Sequence, residues 1–186
     1  MQRLKVHAID PMNYADGPGA RYTIWLQGCS ILCEGCFNPA THDPQAGYWL
    51  SIDELLSDIQ QHTPTVEGIS ISGGEPLDQA PALAIFLQQY KQSKLGSALL
   101  FSGYSYQAIT QNAQYAAVLP YLDVLISGPY QKENAIPGGF PASSNQEIIL
   151  LSQVYTLVDL HTQVATQINI TNNGEIHISG IDPLVM

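Results

Sequence analysis

Arg21-Tyr22-Thr23-Ile24-Trp25-Leu26-Gln27-Gly28-Cys29-Ser30-Ile31-Leu32-Cys33-Glu34-Gly35-Cys36 begins as a strand and ends as a loop of thiols. Its first seven residues are rich in β-branched and aromatic side chains, the composition of a pleated, half-buried segment. The chain then passes directly into three cysteines at C-x3-C-x2-C spacing, and these are all the cysteines it has. Thiolates so close in sequence can converge on one metal centre. Fe–S clusters are ordinarily held by one cysteine per iron, so three would leave a four-iron cluster with one open iron. An open coordination position is what separates a catalytic metal site from a structural one. The residues alone also permit a closed zinc site in which His42 joins Cys29, Cys33 and Cys36. Zinc ligands are more often paired in two separated halves, and soft, clustered thiolates favour iron–sulfur. A disulfide fits worst, because the count is odd and no secretory segment precedes it.

Outward from this stretch, strand patterns alternate with helical ones. A helix is expected from Ser51, with Glu54 completing a capping box and Leu55, Leu56 and Ile59 supplying the apolar face. Val66 to Ile71 reads as a strand running into Ser72-Gly73-Gly74-Glu75-Pro76. Pro81 to Tyr90 reads as a helix and Ser97 to Phe101 as a strand ending at Ser102-Gly103-Tyr104. A helix over Tyr106 to Leu119 and a strand over Leu122 to Ile126 follow, before Ser127-Gly128-Pro129. This alternation implies right-handed βαβ units, a mostly parallel sheet and an α/β fold class. The distinctive loops all follow strands, so they share the rim where such folds place their sites.

After Gln146 the pattern turns to β. Glu147 to Ser152, Val154 to Val158, Gln163 to Ile170 and Glu175 to Ser179 read as strands, with Asn172-Asn173-Gly174 as a hairpin turn. The expectation is one domain over 1–186, with a core of about 9–146 and a β-rich C-terminal segment of about 147–186. Only Ile136 to Ser144, rich in Pro and Gly, reads as a candidate for disorder. A chain of 186 residues with 45% hydrophobic content can bury a proper core. Six basic residues against a net charge of −10 argue against a nucleic-acid surface. No apolar run is long enough to cross a bilayer, and a cytoplasmic location is the expectation.

Three motifs together resemble a known family: Asp16-Gly17-Pro18-Gly19-Ala20-Arg21, the stretch from Gly28 through Cys36 to Phe37-Asn38-Pro39, and Ser72-Gly73-Gly74-Glu75-Pro76. They resemble the radical S-adenosylmethionine (SAM) enzymes, and within them the activating enzymes of glycyl-radical proteins. Phe101-Ser102-Gly103-Tyr104, Gly128-Pro129-Tyr130 and Ser143-Ser144-Asn145-Gln146 are similar to activators of the anaerobic ribonucleoside-triphosphate reductase. The resemblance implies an incomplete β/α barrel of the radical SAM type with a β-rich C-terminal addition. It implies that Cys29, Cys33 and Cys36 hold a [4Fe–4S] cluster and that SAM binds the fourth iron. Gly35, Cys36 and Phe37 would then meet the adenine, largely through backbone groups. Gly73 and Gly74 would hold the methionyl amino group, with Glu75 as its counter-charge, and no further catalytic side chain is expected.

The implied partners are a glycyl-radical enzyme and an electron donor such as flavodoxin or ferredoxin. Arg3, Lys5, Arg21 and Lys132 are the cations available for docking the donor. The rival readings are a radical SAM enzyme acting on a peptide or small molecule, of the deazaguanine-synthase kind, and a non-catalytic protein with a structural three-cysteine site. Two departures from the family stand out. The stretch Phe140 to Gln146 holds no basic residue where the family often has an arginine shortly before Ser-Asn-Gln, and the C-terminal hairpin is longer than in the shortest activators.

Overall fold

The structure is a computed structural model that describes residues 2–138, 140–161, 166–170, 174 and 176–180. Its frame is a seven-stranded sheet in the order β3-β1-β2-β4-β5-β6-β7, formed by β1 (Arg3–Asn13), β2 (Arg21–Leu26), β3 (Tyr48–Ser51), β4 (Gly68–Gly73), β5 (Ser97–Ser102), β6 (Val124–Ser127) and β7 (Glu147–Leu150). The four central strands β2, β4, β5 and β6 run parallel. The flanking β3, β1 and β7 pair antiparallel to their neighbours. The parallel heart matches the βαβ expectation, while the antiparallel edges add to it.

Parallel strands need covered faces. Val124, Leu125 and Ile126 of β6 and Ala98, Leu99 and Leu100 of β5 are fully or almost fully buried. One face, carrying Ile69, Ile71, Leu100 and Leu125, packs on α1 (Ile52–His62) and α2 (Ala80–Gln92) through Leu55, Ile59, Leu83, Phe86 and Leu87. Each such side chain contributes roughly 1.5–3 kcal/mol when fully buried, so this layer is the main support of the sheet. The opposite face carries Leu99, Val124 and Ile126, which pack on Leu160, Phe140 and Tyr155. Beyond that small cluster the opposite face opens into a cavity.

The local signals explain most element boundaries. Ser51 accepts from the backbone of Glu54, and Glu54 accepts from the backbone of Ser51, so the capping box forms as expected. The single helix expected over Tyr106 to Leu119 is broken into α3 (Tyr106–Gln111) and α4 (Ala113–Ala116). Asn112 between them is extended, and its side chain caps Gln114 and Tyr115. Asparagine competes well for backbone donors, which makes it a helix start rather than a helix interior.

The C-terminal expectations fare less well. Val154 to Val158 is not a strand: α5 (Leu157–His161) begins there. The Thr156 backbone and hydroxyl both donate to Asp159 Oδ2 at 2.7 Å, an N-terminal capping arrangement that outweighs the β-branched composition. The last two strands do form, as β8 (Thr166–Ile170) antiparallel to β9 (Ile176–Gly180). Asn172 and Asn173 of the expected turn, and Gln163 and Glu175 of the expected strands, lie outside the described residues. Ile136 to Ser144 folds back on itself, with Ile136 N–H bonded to Ala142 O and Ser144 N–H to Asn134 O, each at 2.9 Å. β1 is an addition to the expected strands, and its pattern is a period of two in which buried Leu4 and Val6 alternate with Arg3, Lys5 and His7.

Candidate active site

The carboxyl ends of β2, β4 and β5 deliver three loops to one rim. The loop after β2 carries Cys29, Cys33 and Cys36, all of them free and half-buried. All three line one cavity of about 710 Å³, together with Trp25, Ser72, Gly73, Gly74, Phe101 and Ser102. Among the SAM contacts implied by the family resemblance, Cys36, Phe37, Gly73 and Gly74 reach this wall. Gly35 and Glu75 are not among its lining residues.

The cysteine loop is held by its neighbours on both sides. Gly28 N–H donates to Thr41 O at 2.8 Å, and Glu75 N–H donates to Gly28 O at 2.8 Å. The Tyr130 backbone donates to the Cys33 thiol, and Asn38 N–H donates to Cys36 Sγ at 3.4 Å. Burial raises the pKa of both thiols and the donors partly oppose it, so a nearby cation is needed for full thiolate character. Phe37 stands half in solvent and meets Tyr130 edge-on, with ring centroids 5.2 Å apart. The Lys132 stem lies over Gly35, whose φ is +69°.

The Gly-Gly pair has a physical reason of its own. A Cβ on Gly73 would meet Leu26 backbone atoms at 2.3 Å, and one on Gly74 would meet Gly28 O at 2.0 Å. The second glycine is therefore required first by the junction with the cysteine loop, a constraint that spacing alone did not reveal.

Glu75 is almost fully buried and turns inward. Its Oε1 accepts from Leu77 N–H and Ser102 Oγ, both at 2.9 Å, and its Oε2 accepts from Gly103 N–H at 2.8 Å. Burial pushes its pKa up to about 7 despite those donors. The carboxylate expected as a counter-charge thus clamps the loop after β4 to the loop after β5.

Asp16 lies on the same cavity wall, beside Asp10. Burial, and secondly the Asp10 charge, raise its pKa to about 7. Among the described residues its Oδ2 has no hydrogen-bond partner, and neither has His42 Nε2 on the cavity wall. Buried polar atoms are normally paired, so the two orphans mark a wall shaped for a polar guest. Arg21, one residue type expected on the surface for docking, is instead fully buried on the strand behind the Asp16 loop. It donates from Nε to Ser70 Oγ at 3.1 Å and from Nη1 to Ser97 Oγ at 2.8 Å and Tyr155 OH at 2.9 Å. Tyr155 comes from the C-terminal segment, a partner that no sequence motif announced.

Three free thiols lining one cavity with two glycines, Asp16 and His42 suit a cluster with a polar ligand beside it. Comparisons with known proteins agree. Residues 15–149 match the family described as the 4Fe-4S single cluster domain. The anaerobic ribonucleoside-triphosphate reductase-activating protein of Vibrio cholerae is 31% identical over 152 residues, covering 78% of this chain and 97% of the relative. The corresponding protein of Haemophilus influenzae is 29% identical, covering 75% and 92%. The pyruvate formate-lyase-activating enzyme of Clostridium pasteurianum is 31% identical over 66% of this chain, which spans half the length of that relative. Among solved structures, QueE from Escherichia coli aligns at 16% identity with a TM-score of 0.44, covering 55% of this chain and 53% of QueE.

Proposed function

The chain belongs to the radical SAM family of glycyl-radical-enzyme activating proteins, and from that membership we propose that it generates a glycyl radical on the anaerobic ribonucleoside-triphosphate reductase. The observation that carries this reading is that Cys29, Cys33 and Cys36 line one cavity together with Gly73 and Gly74. Cys29, Cys33 and Cys36 would hold a [4Fe–4S] cluster, with SAM bound beside it along Gly73 and Gly74. When bound, the cluster and SAM would supply the one-electron chemistry that removes a hydrogen atom from the partner's glycine.

The chain's own residues bind, orient and exclude water. Gly73 and Gly74 let the main chain come close to the methionyl end. Cys36 and Phe37 border the adenine side, with Gly35 shaping the turn between them and Cys33. Glu75 acts one step back, keeping the glycine loop and the loop after β5 in register. Trp25, Phe101, Phe140 and Tyr130 line the cavity and keep water from a reactive radical.

The parallel strands β2, β4, β5 and β6 with their helices read as an incomplete β/α barrel within one domain over 1–186. The electron donor on this reading is a flavodoxin or ferredoxin. The working compartment is the cytoplasm, where thiols stay reduced. Among the described residues no helix is long and apolar enough to cross a membrane.

Anaerobic reconstitution with iron and sulfide tests the reading. One oxygen-sensitive four-iron cluster per chain is expected, with dithionite-driven formation of 5′-deoxyadenosine and a glycyl-radical signal on the reductase. Stoichiometric zinc bound by the cysteines and His42, with no competence for a cluster, would refute the catalytic reading. Cleavage of SAM without any radical on the reductase would point to another peptide or small-molecule substrate.

A further inference from the structure

The loop that follows the glycine pair carries a second carboxylate, on the other side of the rim from Glu75. Asp78 sits in the short turn Pro76–Gln79 and reaches across to the residue that follows the first cysteine. Ser30 N–H donates to Asp78 Oδ2 at 2.7 Å, and Ser30 Oγ donates to Asp78 Oδ1 at 2.7 Å. Tyr104 OH donates to the same Oδ1 at 3.3 Å and lies 3.0 Å from Ser30 Oγ. Tyr104 is itself fixed: its ring centroid lies 4.9 Å from that of Tyr115, and its backbone donates to Ser102 Oγ at 3.2 Å. Ser102 in turn bonds to Glu75. The three rim loops are therefore joined by one line of side chains, from Glu75 through Ser102 and Tyr104 to Asp78 and Ser30.

Three donors converge on Asp78, and an ionised carboxylate accepts them at both oxygens. An asparagine could keep its oxygen on Ser30 N–H and turn its amide to the two hydroxyls, so it removes the charge and largely keeps the contacts. Hydrogen bonds to a charged acceptor are short and about twice as strong as neutral ones. Among the described residues Asp78 has no ion-pair partner. Its negative charge thus stands uncompensated beside Ser30, the chain neighbour of Cys29.

We propose that Asp78 is a positioning residue for the metal centre: it aims the first thiolate by gripping Ser30, and its charge makes the centre harder to reduce and so a stronger reductant. The inference rests on the cluster reading above. A fixed anion near a redox centre disfavours the added electron through Coulomb repulsion, and because Asp78 is exposed, water and salt weaken the effect without removing it. The same charge raises the demand on the donor and the driving force toward the sulfonium.

The test is the midpoint potential of the reconstituted cluster, followed by electron paramagnetic resonance, with iron and sulfide content measured beside it. Asp78→Asn should keep the cluster and shift the midpoint upward by several-fold to about tenfold in the reduction equilibrium, tenfold being about 59 mV for one electron. Tyr104→Phe removes one donor and leaves the charge, so its shift should be much smaller. Equal shifts in the two variants, or an unshifted midpoint in Asp78→Asn at full iron content, would overturn the proposal. Should Asp78→Asn lose the cluster outright, Asp78→Glu decides. Restored loading at the wild-type midpoint supports a positioning carboxylate, and failure to restore it refutes one. A wild-type chain that assembles no four-iron cluster overturns the proposed function and this inference together. A normal wild-type cluster with an unmoved variant overturns this inference alone.

Discussion

The rim formed by the ends of β2, β4 and β5 and the segment after β7 are built on different principles. The rim is fixed by backbone: Gly28, Gly74 and Glu75 interlock through main-chain bonds of 2.8–2.9 Å, with no room for a Cβ at Gly73 or Gly74. The C-terminal segment is fixed by side chains that reach inward, Tyr155 to Arg21 and Gln167 and Asn169 to Asp10 and Met12. Its ribbon leaves Ile168, Ile170, Ile176 and Ile178 exposed. A region held by main-chain geometry tolerates almost no change, whereas one held by a few side chains can be trimmed. The comparison predicts which substitutions abolish activity and which only modulate it.

The hardest test of the rim is the loss of a thiol. Cys29→Ala, Cys33→Ala or Cys36→Ala should each abolish SAM cleavage, because no spare cysteine exists in the chain. His42→Ala should retain it. A dispensable cysteine, measured as normal 5′-deoxyadenosine yield, would break the distinction at its strongest point.

Next in size is Gly74→Val. The new Cβ would press on Gly28 O at 2.0 Å, and backbone cannot yield as a flexible side chain does. Overpacking of this kind costs about 1–3 kcal/mol or more. The expected result is impaired iron loading as well as weakened SAM binding. Weak SAM binding with normal iron content would show that the glycine serves the cofactor alone.

On the cavity wall, Asp16 gives a pH signature. Its folded pKa of about 7 lies above the ordinary 3.8. The folded state therefore binds the extra proton, and stability falls as pH rises from about 4 through 7. Asp16→Asn should not show that loss. In the metal-free protein its advantage over wild type should be near zero at pH 4 and reach on the order of 4 kcal/mol by pH 8. A difference that is flat with pH, from denaturant unfolding, would mean that Asp16 is ionised in the folded chain.

In the C-terminal region, Tyr155→Phe removes a bond to a buried guanidinium that burial already pushes below its usual pKa. Hydrogen bonds to charged groups contribute about 1.5–3 kcal/mol. The variant should unfold at lower denaturant yet cleave SAM at the wild-type rate. Lost cleavage at full iron content would make the segment part of the catalytic apparatus.

The same contrast explains what could be read in the sequence. The strand-to-loop passages at Cys29, Gly73 and Ser102 were legible because each motif is contiguous and its chemistry is carried by residue type. The helix cap at Ser51 was legible for the same reason. The inward turn of Glu75 was not, since its partners at Ser102 and Gly103 lie on another strand. Tyr155 and Arg21 are 134 residues apart, and only the folded sheet brings them together. At Val154 to Val158 the local composition misled, because a Thr156–Asp159 cap decided the element. Long-range side-chain pairing is the part that neither spacing nor periodicity encodes.

The smallest expected effect concerns the electron donor, and it too contrasts two places. Lys5 is committed: its ammonium bonds to Pro44 O and sits 5.5 Å from the Trp49 ring centroid. Lys91 is paired with Asp123, and Arg21 is buried. Lys132 alone among the lysines drapes its stem over the cysteine loop, at Gly35. On a chain with a net charge of −10, one cation there is worth little affinity but can steer an acidic carrier toward the exposed edge of the loop. Lys132→Glu should therefore slow donor-driven reduction about two- to fivefold at low salt, with the difference shrinking as salt screens it. Lys5→Glu should change the rate less, and neither should alter dithionite-driven cleavage, which needs no protein docking. Stopped-flow reduction by a flavodoxin at two ionic strengths measures all three outcomes. Equal slowing by both reversals would mean that net charge, not a site beside the cysteines, governs the encounter.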